Sequence, residues 1–317
     1  MGLLHAVLLF AGLNAAASPD LERLNAALDA GDLKTVDTFF ETFDERLSGD
    51  LYDLRGRLRV AQDQPEEAVD DFEKAAKALP KREDVWLRLA SAAGDAAGEA
   101  GGLGAAGFAK TAKRALEKVV ALNPDSIDGR TGLIQFHLQA PWIAGGRKKE
   151  AYRQAEAIGR IDPVQGKSWK ARIDLATGKT DDAEAVFRSI LDADPDQPEI
   201  AVTLAGLLHS QSRWAEANEV LRPFAEAEPP NLLALYQVGR TGALSGEFLQ
   251  SSASAMERYL ELAQNDEERP VPLSPAYWRL GMIFQHQNEL DKARGAYQQA
   301  LSLDPDNEQA QKALKSL

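Results

Sequence analysis

The chain has 317 residues, with 49 Asp and Glu against 36 Lys and Arg, a formal charge of −13 at pH 7, and no cysteine. A hydrophobic share of 44% with 27% charged residues is a globular balance, which excludes a disordered polymer. The missing thiol excludes a disulfide scaffold, cysteine-ligated zinc, iron–sulfur clusters, thiol catalysis and lipid attachment through an N-terminal cysteine.

Residues 1–17 contain no Asp, Glu, Lys or Arg, and the run from Leu3 to Leu13 is mostly apolar. Such a run is shorter than the roughly 20 residues that span a bilayer as a helix. Its length fits the apolar region of a secretory signal, and Ala15-Ala16-Ala17 before Ser18 supplies an A-x-A cleavage pattern. The expectation is a signal peptide cleaved after Ala17 and a periplasmic or secreted protein with no integral membrane segment. One feature departs from the pattern: the only positive groups at the start are the α-amino group and His5. A buried N-terminal helix and a misassigned start are the alternatives. A chain without cysteine also suits an oxidising compartment. The acid surplus argues against binding nucleic acid by neutralising phosphates.

Residues 20–47 read as a degenerate pair of helices turning at Gly31-Asp32. Beyond them a repeat is visible by counting. Twelve residues before Pro80, Pro124, Pro163, Pro195, Pro229 and Pro305 stand Ala68, Ala112, Ala151, Ala183, Ala217 and Ala293. Eight before stand Phe72, Leu116, Ala155, Phe187, Leu221 and Tyr297; five before stand Ala75, Val119, Ile158, Ile190, Phe224 and Ala300. These offsets share one helical face. Alanine lets two helices approach, the larger residue a turn later fills the space between them, and proline ends the helix. Asp and Asn around several prolines, as in Asp194-Pro195-Asp196, start the next element.

An upstream helix completes each unit. The copy Tyr277, Leu280, Gly281, Phe284, Ala293, Tyr297, Ala300, Pro305 resembles the tetratricopeptide (TPR) pattern, a helix–turn–helix of about 34 residues. Prolines 195 and 229 lie 34 apart and 163 and 195 lie 32 apart; residues 232–262 supply an unmarked copy around Gly239 and Gly246. The expected fold is all-α, a right-handed TPR superhelical solenoid of about seven units forming a single domain over 18–317. Its parts are a degenerate pair at 18–48, repeats at 49–306 and a capping helix at 307–317.

Two insertions break the period. Ten extra residues within 94–104 are rich in Gly and Ala, and a long helical pattern over Ala105–Ala121 follows, with Lys110, Lys113, Arg114 and Lys118 outward. This predicts an extended helical hairpin turning near Gly101-Gly102. A phosphate loop would need a preceding strand and G-K-[ST], and neither is present. The second insertion is Ala140-Pro141-Trp142-Ile143-Ala144-Gly145-Gly146. With Gly132-Leu133, Phe136-His137-Leu138-Gln139, Tyr236-Gln237-Val238-Gly239-Arg240 and Tyr277-Trp278-Arg279-Leu280-Gly281, it resembles a family of uncharacterised bacterial exported TPR proteins carrying an A-P-x-x-x-G-G insertion. The resemblance covers most of 50–317 and implies export and a solenoid without known catalysis. Trp142 either packs against the neighbouring repeat, with Gly145 and Gly146 allowing a tight start to the next helix, or anchors a binding rim. On the second reading, N–H groups near Gly146 would be open to an anion.

Chemistry is sparse. His137, His209 and His286 fall late in the first helices of alternate units. Packed helices lie about 8–10 Å apart, too far for alternate units to share a metal with bonds of about 2.0–2.1 Å. His209-Ser210 lacks an elbow and an orienting acid. Glu66-Glu67 and Asp181-Asp182 sit at helix starts, where they complement the helix dipole. No enzyme, metal or cofactor is expected.

The first helices, which line the concave face of a TPR solenoid, offer Arg57, Arg130, Trp169, Arg172, Tyr236, Arg240, Trp278 and Arg279. Arginine and aromatics are typical of interface anchors. The alternative is that nearby acids hold the arginines and that Trp169 and Trp278 pack between helices. Asp53 and Arg57 stand where some TPR domains place a Lys/Asn clamp for chaperone tails, so that partner class has no support. The expected function is a non-enzymatic scaffold or adaptor of the bacterial cell envelope, binding a peptide or protein segment in its groove. Two alternatives stay open: docking of a cell-wall or polysaccharide enzyme through the convex face or the 94–107 hairpin, and a small-ligand site near Trp142.

Overall fold

The computed structural model describes residues 18–43, 46–141, 145–266 and 269–317. The expected signal peptide at 1–17 and Trp142 lie outside the described residues. Among the described residues there are seventeen helices and no strand. They run α1 Ser18–Asp29, α2 Leu33–Thr42, α3 Gly49–Ala61, α4 Pro65–Ala78, α5 Glu83–Glu99, α6 Gly102–Leu122, α7 Ile127–Gln139, α8 Lys148–Ile161 and α9 Pro163–Ala176. Then follow α10 Thr180–Ala193, α11 Pro198–Ser210, α12 Trp214–Ala225, α13 Leu232–Ser245, α14 Leu249–Ala263, α15 Leu273–His286, α16 Leu290–Leu303 and α17 Glu308–Ser316. Seven helix pairs from α3 to α16, with α1–α2 before and α17 after, carry the repeat: the fold is an all-α helical-repeat solenoid.

Local chemistry sets the ends of these helices. α4, α6, α10 and α16 each stop two residues before a proline, at Ala78, Leu122, Ala193 and Leu303. The residue before proline is pushed out of helical geometry, and Asn123, Asp194 and Asp304 are extended. Pro163 instead opens α9 directly, and Asp162 Oδ1 accepts from the Val164 and Gln165 N–H groups. Ser48, Ser126, Asn231 and Asn307 cap α3, α7, α13 and α17 by accepting a backbone N–H three residues on. Glu66 and Glu67 lie in the first turn of α4, Asp181 and Asp182 in that of α10.

The helices group into two compact units, one ending at Ile173 and the other starting at Asp174, so that α9 carries the boundary. Within the first unit, α3 to α8 stack in sequence, each against the next, and α1 and α2 both rest on α3. Within the second, α10 to α17 stack likewise, and the first helices α11, α13 and α15 also lie side by side.

The counted repeat positions are the core. All six alanines at the first slot and all six residues at the second are buried. At the third slot Phe224 is the departure: it is half-buried, while Ala225 is buried in its place. Pro223 lies inside α12, where it cannot donate to the preceding turn and its ring crowds the carbonyl four residues back. The buried position past it falls one residue later.

The first insertion forms the expected hairpin. α5 and α6 have 17 and 21 residues, longer than the 12 to 15 of the helices that follow α6 in the repeats. They turn at Ala100-Gly101, and Gly102 has φ +56°. Ala92, Ala93, Ala96, Ala112 and Ala115 pack between them.

Candidate functional site

In the first unit, the candidate side chains are largely engaged by their own neighbours. Arg57 on α3 donates from Nη1 to Asn25 Oδ1 and from Nη2 to Asp29 Oδ1, both at 2.5 Å, which ties α3 to α1. Asp53, one turn earlier, accepts two hydrogen bonds from Arg88 of α5 at 2.8 and 2.9 Å. The two positions examined for a clamp are thus occupied in joining repeats. Arg130 on α7 donates from Nε to the Pro124 carbonyl at 3.0 Å and from Nη1 to Gln154 Oε1 on α8 at 2.8 Å. Trp169 on α9 is half-buried against the cluster of Ile134, Ala151, Ala155, Ile158 and Ile173, and the Arg172 guanidinium lies 5.5 Å from its ring centre.

The glycines of the second insertion close a turn. The Gly146 N–H donates to the Pro141 carbonyl at 3.1 Å, so that donor is not open to an anion. A β-carbon on Gly146 would lie 1.8 Å from the Ala140 carbonyl oxygen. Gly145 adopts φ +98°, and burial pulls the pKa of His137 on α7 below the usual value. Between α5, α6 and α7 lies an open hollow of about 860 Å³, lined mainly by small side chains such as Ala90, Gly94, Ala105, Ala106 and Ala109, with Phe136 at one wall.

In the second unit, four candidates meet. Tyr236 and Arg240 sit one turn apart on α13, and Trp278 and Arg279 are adjacent on α15. Arg279 Nε donates to the Tyr236 hydroxyl at 2.8 Å. Its guanidinium carbon lies 4.8 Å from the Trp278 ring centre and 5.8 Å from that of Tyr236, within the range of cation–π attraction. Tyr236 is buried, with its ring 5.6 Å from that of Tyr259. Arg240 donates from Nη1 to Gln237 Oε1 at 3.2 Å.

Sequence reading weighed His209 only as a metal ligand or as a partner for Ser210; the structure joins it to this cluster. His209 Nε2 is 2.8 Å from Thr241 Oγ1, which donates in turn to the Gln237 carbonyl. That bond assigns the imidazole proton to Nε2. Burial, with Arg240 and Arg279 adding repulsion, lowers the His209 pKa to about 4, so the ring is neutral near pH 7. The Ser210 hydroxyl donates to the Leu207 carbonyl at 2.6 Å and does not face the imidazole as a nucleophile would. His286 makes a separate contact with the Ala243 carbonyl at 3.2 Å. Thr241 carries no motif and Gln237 appears only inside the Tyr236–Arg240 run, so the side-by-side stacking of α11, α13 and α15 is what reveals their part.

Residues 174–237 and 274–307 each match a tetratricopeptide repeat family model. Yeast Tom70 has the same fold: the TM-score is 0.56 at 14% identity, over 96% of this chain and 67% of that one. A tetratricopeptide repeat protein from Parabacteroides merdae ATCC 43184 gives a TM-score of 0.49 at 16% identity, over 94% of this chain and 97% of that one. Among curated proteins, Protein O-mannosyl-transferase TMTC1 of Mus musculus is 30% identical over 116 residues, which are 37% of this chain. The chain spans 12% of the length of that relative.

Proposed function

We propose that this protein is a non-catalytic scaffold of the bacterial cell envelope, which binds an extended segment of a partner protein on the face formed by the first helices of its repeats. The observation that carries the reading is the cluster on α13 and α15, where Tyr236, Arg240, Trp278 and Arg279 gather large ring surfaces and two guanidinium groups. Aromatic and arginine side chains dominate the binding energy of interfaces, and a preformed helical array loses little ordering entropy on binding. Tetratricopeptide repeats commonly mediate protein–protein interactions, which supports a protein partner over a small substrate. The export reading rests on the uncharged apolar run of residues 1–17 and the A-x-A pattern before Ser18.

Residues 18–317 serve as bait in native envelope extract, beside a variant carrying Arg240→Glu and Arg279→Glu. The expected result is a protein retained by the first and lost by the second, with slowed amide exchange in α13 and α15 when the purified pair is mixed. Equal retention by both baits would overturn the first-helix reading. Export is checked by the first residue of the protein recovered from its native source: Ser18 is expected, and an intact Met1 in the cytoplasmic fraction would refute it.

A second reading is favoured by the hollow beside the α5–α6 hairpin, whose small side chains suit close approach of a folded partner. It predicts that Ala106→Glu, and not the arginine pair, abolishes retention.

A further inference from the structure

Most arginines that join the repeats are matched to acids. Arg55, Arg57, Arg82, Arg88, Arg188 and Arg213 each form ion pairs with Asp or Glu. Acids outnumber bases in the chain by 49 to 36, yet among the described residues some arginines find no carboxylate: Arg59 is held by Gln64 Oε1, and Arg130 by Gln154 Oε1 and the Pro124 carbonyl. Arg240 and Arg279 belong with them. Among the described residues neither reaches a carboxylate; their recorded side-chain partners are Gln237 Oε1 and the Tyr236 hydroxyl. Each also holds one N–H that is buried and unmatched, Nε in Arg240 and Nη1 in Arg279. An unsatisfied buried donor is costly, more so on a charged group.

The two cations also come from neighbouring first helices, α13 and α15. Tyr236 stands one turn before Arg240 on α13 and accepts from Arg279 of α15, whose guanidinium lies over its ring. Burial, with repulsion from Arg279 added, depresses the Arg240 pKa, and burial, with repulsion from both arginines added, depresses that of His209. Among the described residues, the neighbours Gln237, Thr241, Trp278 and the neutral His209 add no negative charge. The fold therefore holds two like charges together with apolar ring surface beside them.

We infer that Arg240 and Arg279, flanking Tyr236, form a subsite for the carboxylate of an Asp or Glu side chain in an extended peptide, with Trp278 contacting the apolar residue beside it. This rests on the scaffold reading and names the chemistry of its ligand. A planar carboxylate accepts hydrogen bonds from two guanidinium groups at once, and it relieves their mutual repulsion. The first helices α11, α13 and α15 stand side by side, so a chain lying across them passes through the site rather than ending in it. That geometry favours a side-chain carboxylate over a chain terminus.

The test uses the full mature-length protein, residues 18–317, and two fluorescein-labelled peptides acetylated at the N-terminus and amidated at the C-terminus. One alternates Glu with Trp and Gly; the other replaces every Glu by Gln. Anisotropy titration is expected to show the Glu peptide binding about tenfold or more tightly than the Gln peptide, as charge-assisted hydrogen bonds predict. Arg240→Gln with Arg279→Gln should abolish that preference, and Arg279→Lys, which keeps the charge without the fork, should restore part of it. Arg222→Gln, at an exposed arginine on α12, controls for lost charge and should leave the preference intact. Melting curves establish that each variant is folded. If the double variant is unfolded, the Arg279→Lys protein decides alone: an unchanged preference would overturn the inference. Equal binding of both peptides by the unaltered protein would overturn the carboxylate subsite and leave the scaffold reading standing. Binding of neither overturns the subsite as well, and the extract experiment then judges the scaffold independently.

Discussion

Gly281 on α15 stands where the Tyr297 ring of α16 leaves no room for a β-carbon. One placed there would lie 2.4 Å from Tyr297 Cε1. The ring cannot swing away freely, because its hydroxyl donates to Gln285 Oε1 at 2.9 Å and the side chain is fully buried. Gly281→Ala is therefore expected to destabilise the fold by about 1–3 kcal/mol, the usual cost of overpacking. Gly295 on α16 has nothing within 4 Å of the same position. There, Gly295→Ala should stabilise by about 0.5–1 kcal/mol through helix propensity. Urea midpoints of the two variants, read side by side, check both signs. The sequence shows glycine and tyrosine 16 residues apart, as it shows Gly56 and Phe72, whose ring lies 2.6 Å from a β-carbon on Gly56. The repeat pattern makes Gly56 and Gly281 legible, since a β-carbon at either would meet the aromatic ring sixteen residues on.

His209 carries a pH dependence whose sign follows from its lowered pKa. With a value of about 4 in the fold and the ordinary 6.5 when unfolded, only the unfolded chain takes up the proton between those limits. Stability falls as pH drops from about 6.5 to about 4 and rises in the reverse direction. The groups facing the ring are Arg240 and Arg279, which oppose a further positive charge, the Thr241 hydroxyl, and Trp214, whose ring centre lies 5.5 Å away. His209→Gln keeps a donor for Thr241 and does not titrate. The difference in unfolding free energy between pH 7 and pH 4.5 should be smaller in this variant than in the unaltered protein.

At the scale of elements, the turn after α7 shows how a close backbone approach fixes the residue types in a short insertion. Gly146 must bring its N–H to the Pro141 carbonyl, and its α-carbon passes so near the Ala140 carbonyl that a β-carbon would overlap it at 1.8 Å. That obstacle is backbone and cannot rotate aside. Gly146→Ala should open the turn and raise amide exchange over the last turn of α7 and the start of α8. Exchange measured by mass spectrometry checks this, with α3 and α4 as the unaffected reference. The two glycines and the proline are visible in the sequence. The reason for them, a carbonyl approached from the next segment, is a tertiary fact. The α5–α6 hairpin is the opposite case: alternating alanine on both flanks and a glycine pair at the tip specify it locally. In α12, Pro223 moves the buried position from Phe224 to Ala225, a one-residue slip that counting from Pro229 does not foresee.

At the scale of the whole molecule, a net charge of −13 opposes the approach of any acidic segment, while two unmatched arginines attract it at short range. The first effect reaches about 30 Å at 0.01 M salt and about 8 Å at 0.15 M. For the Glu-containing peptide, the association rate is therefore expected to increase between those salt concentrations and the dissociation rate to increase as well. Stopped-flow anisotropy separates the two. An association rate that falls with salt would mean that the site's own field dominates the encounter.

The sequence by itself determined the helices, their breaks at the prolines, the seven repeats and which face of each second helix is buried. All of these depend on contacts within a few turns, or on a spacing that repeats. It also placed the candidate side chains on first helices. Which of them are spoken for was decided only by the tertiary structure, because an arginine's partner lies on another helix. Arg57 finds Asp29 28 residues away, His209 finds Thr241 at 32, and Arg279 finds Tyr236 at 43. No periodicity encodes whether the residue opposite is an acid. That chemistry leaves Arg57 consumed in holding α1 to α3, and leaves Arg240 and Arg279 charged, adjacent and without a carboxylate.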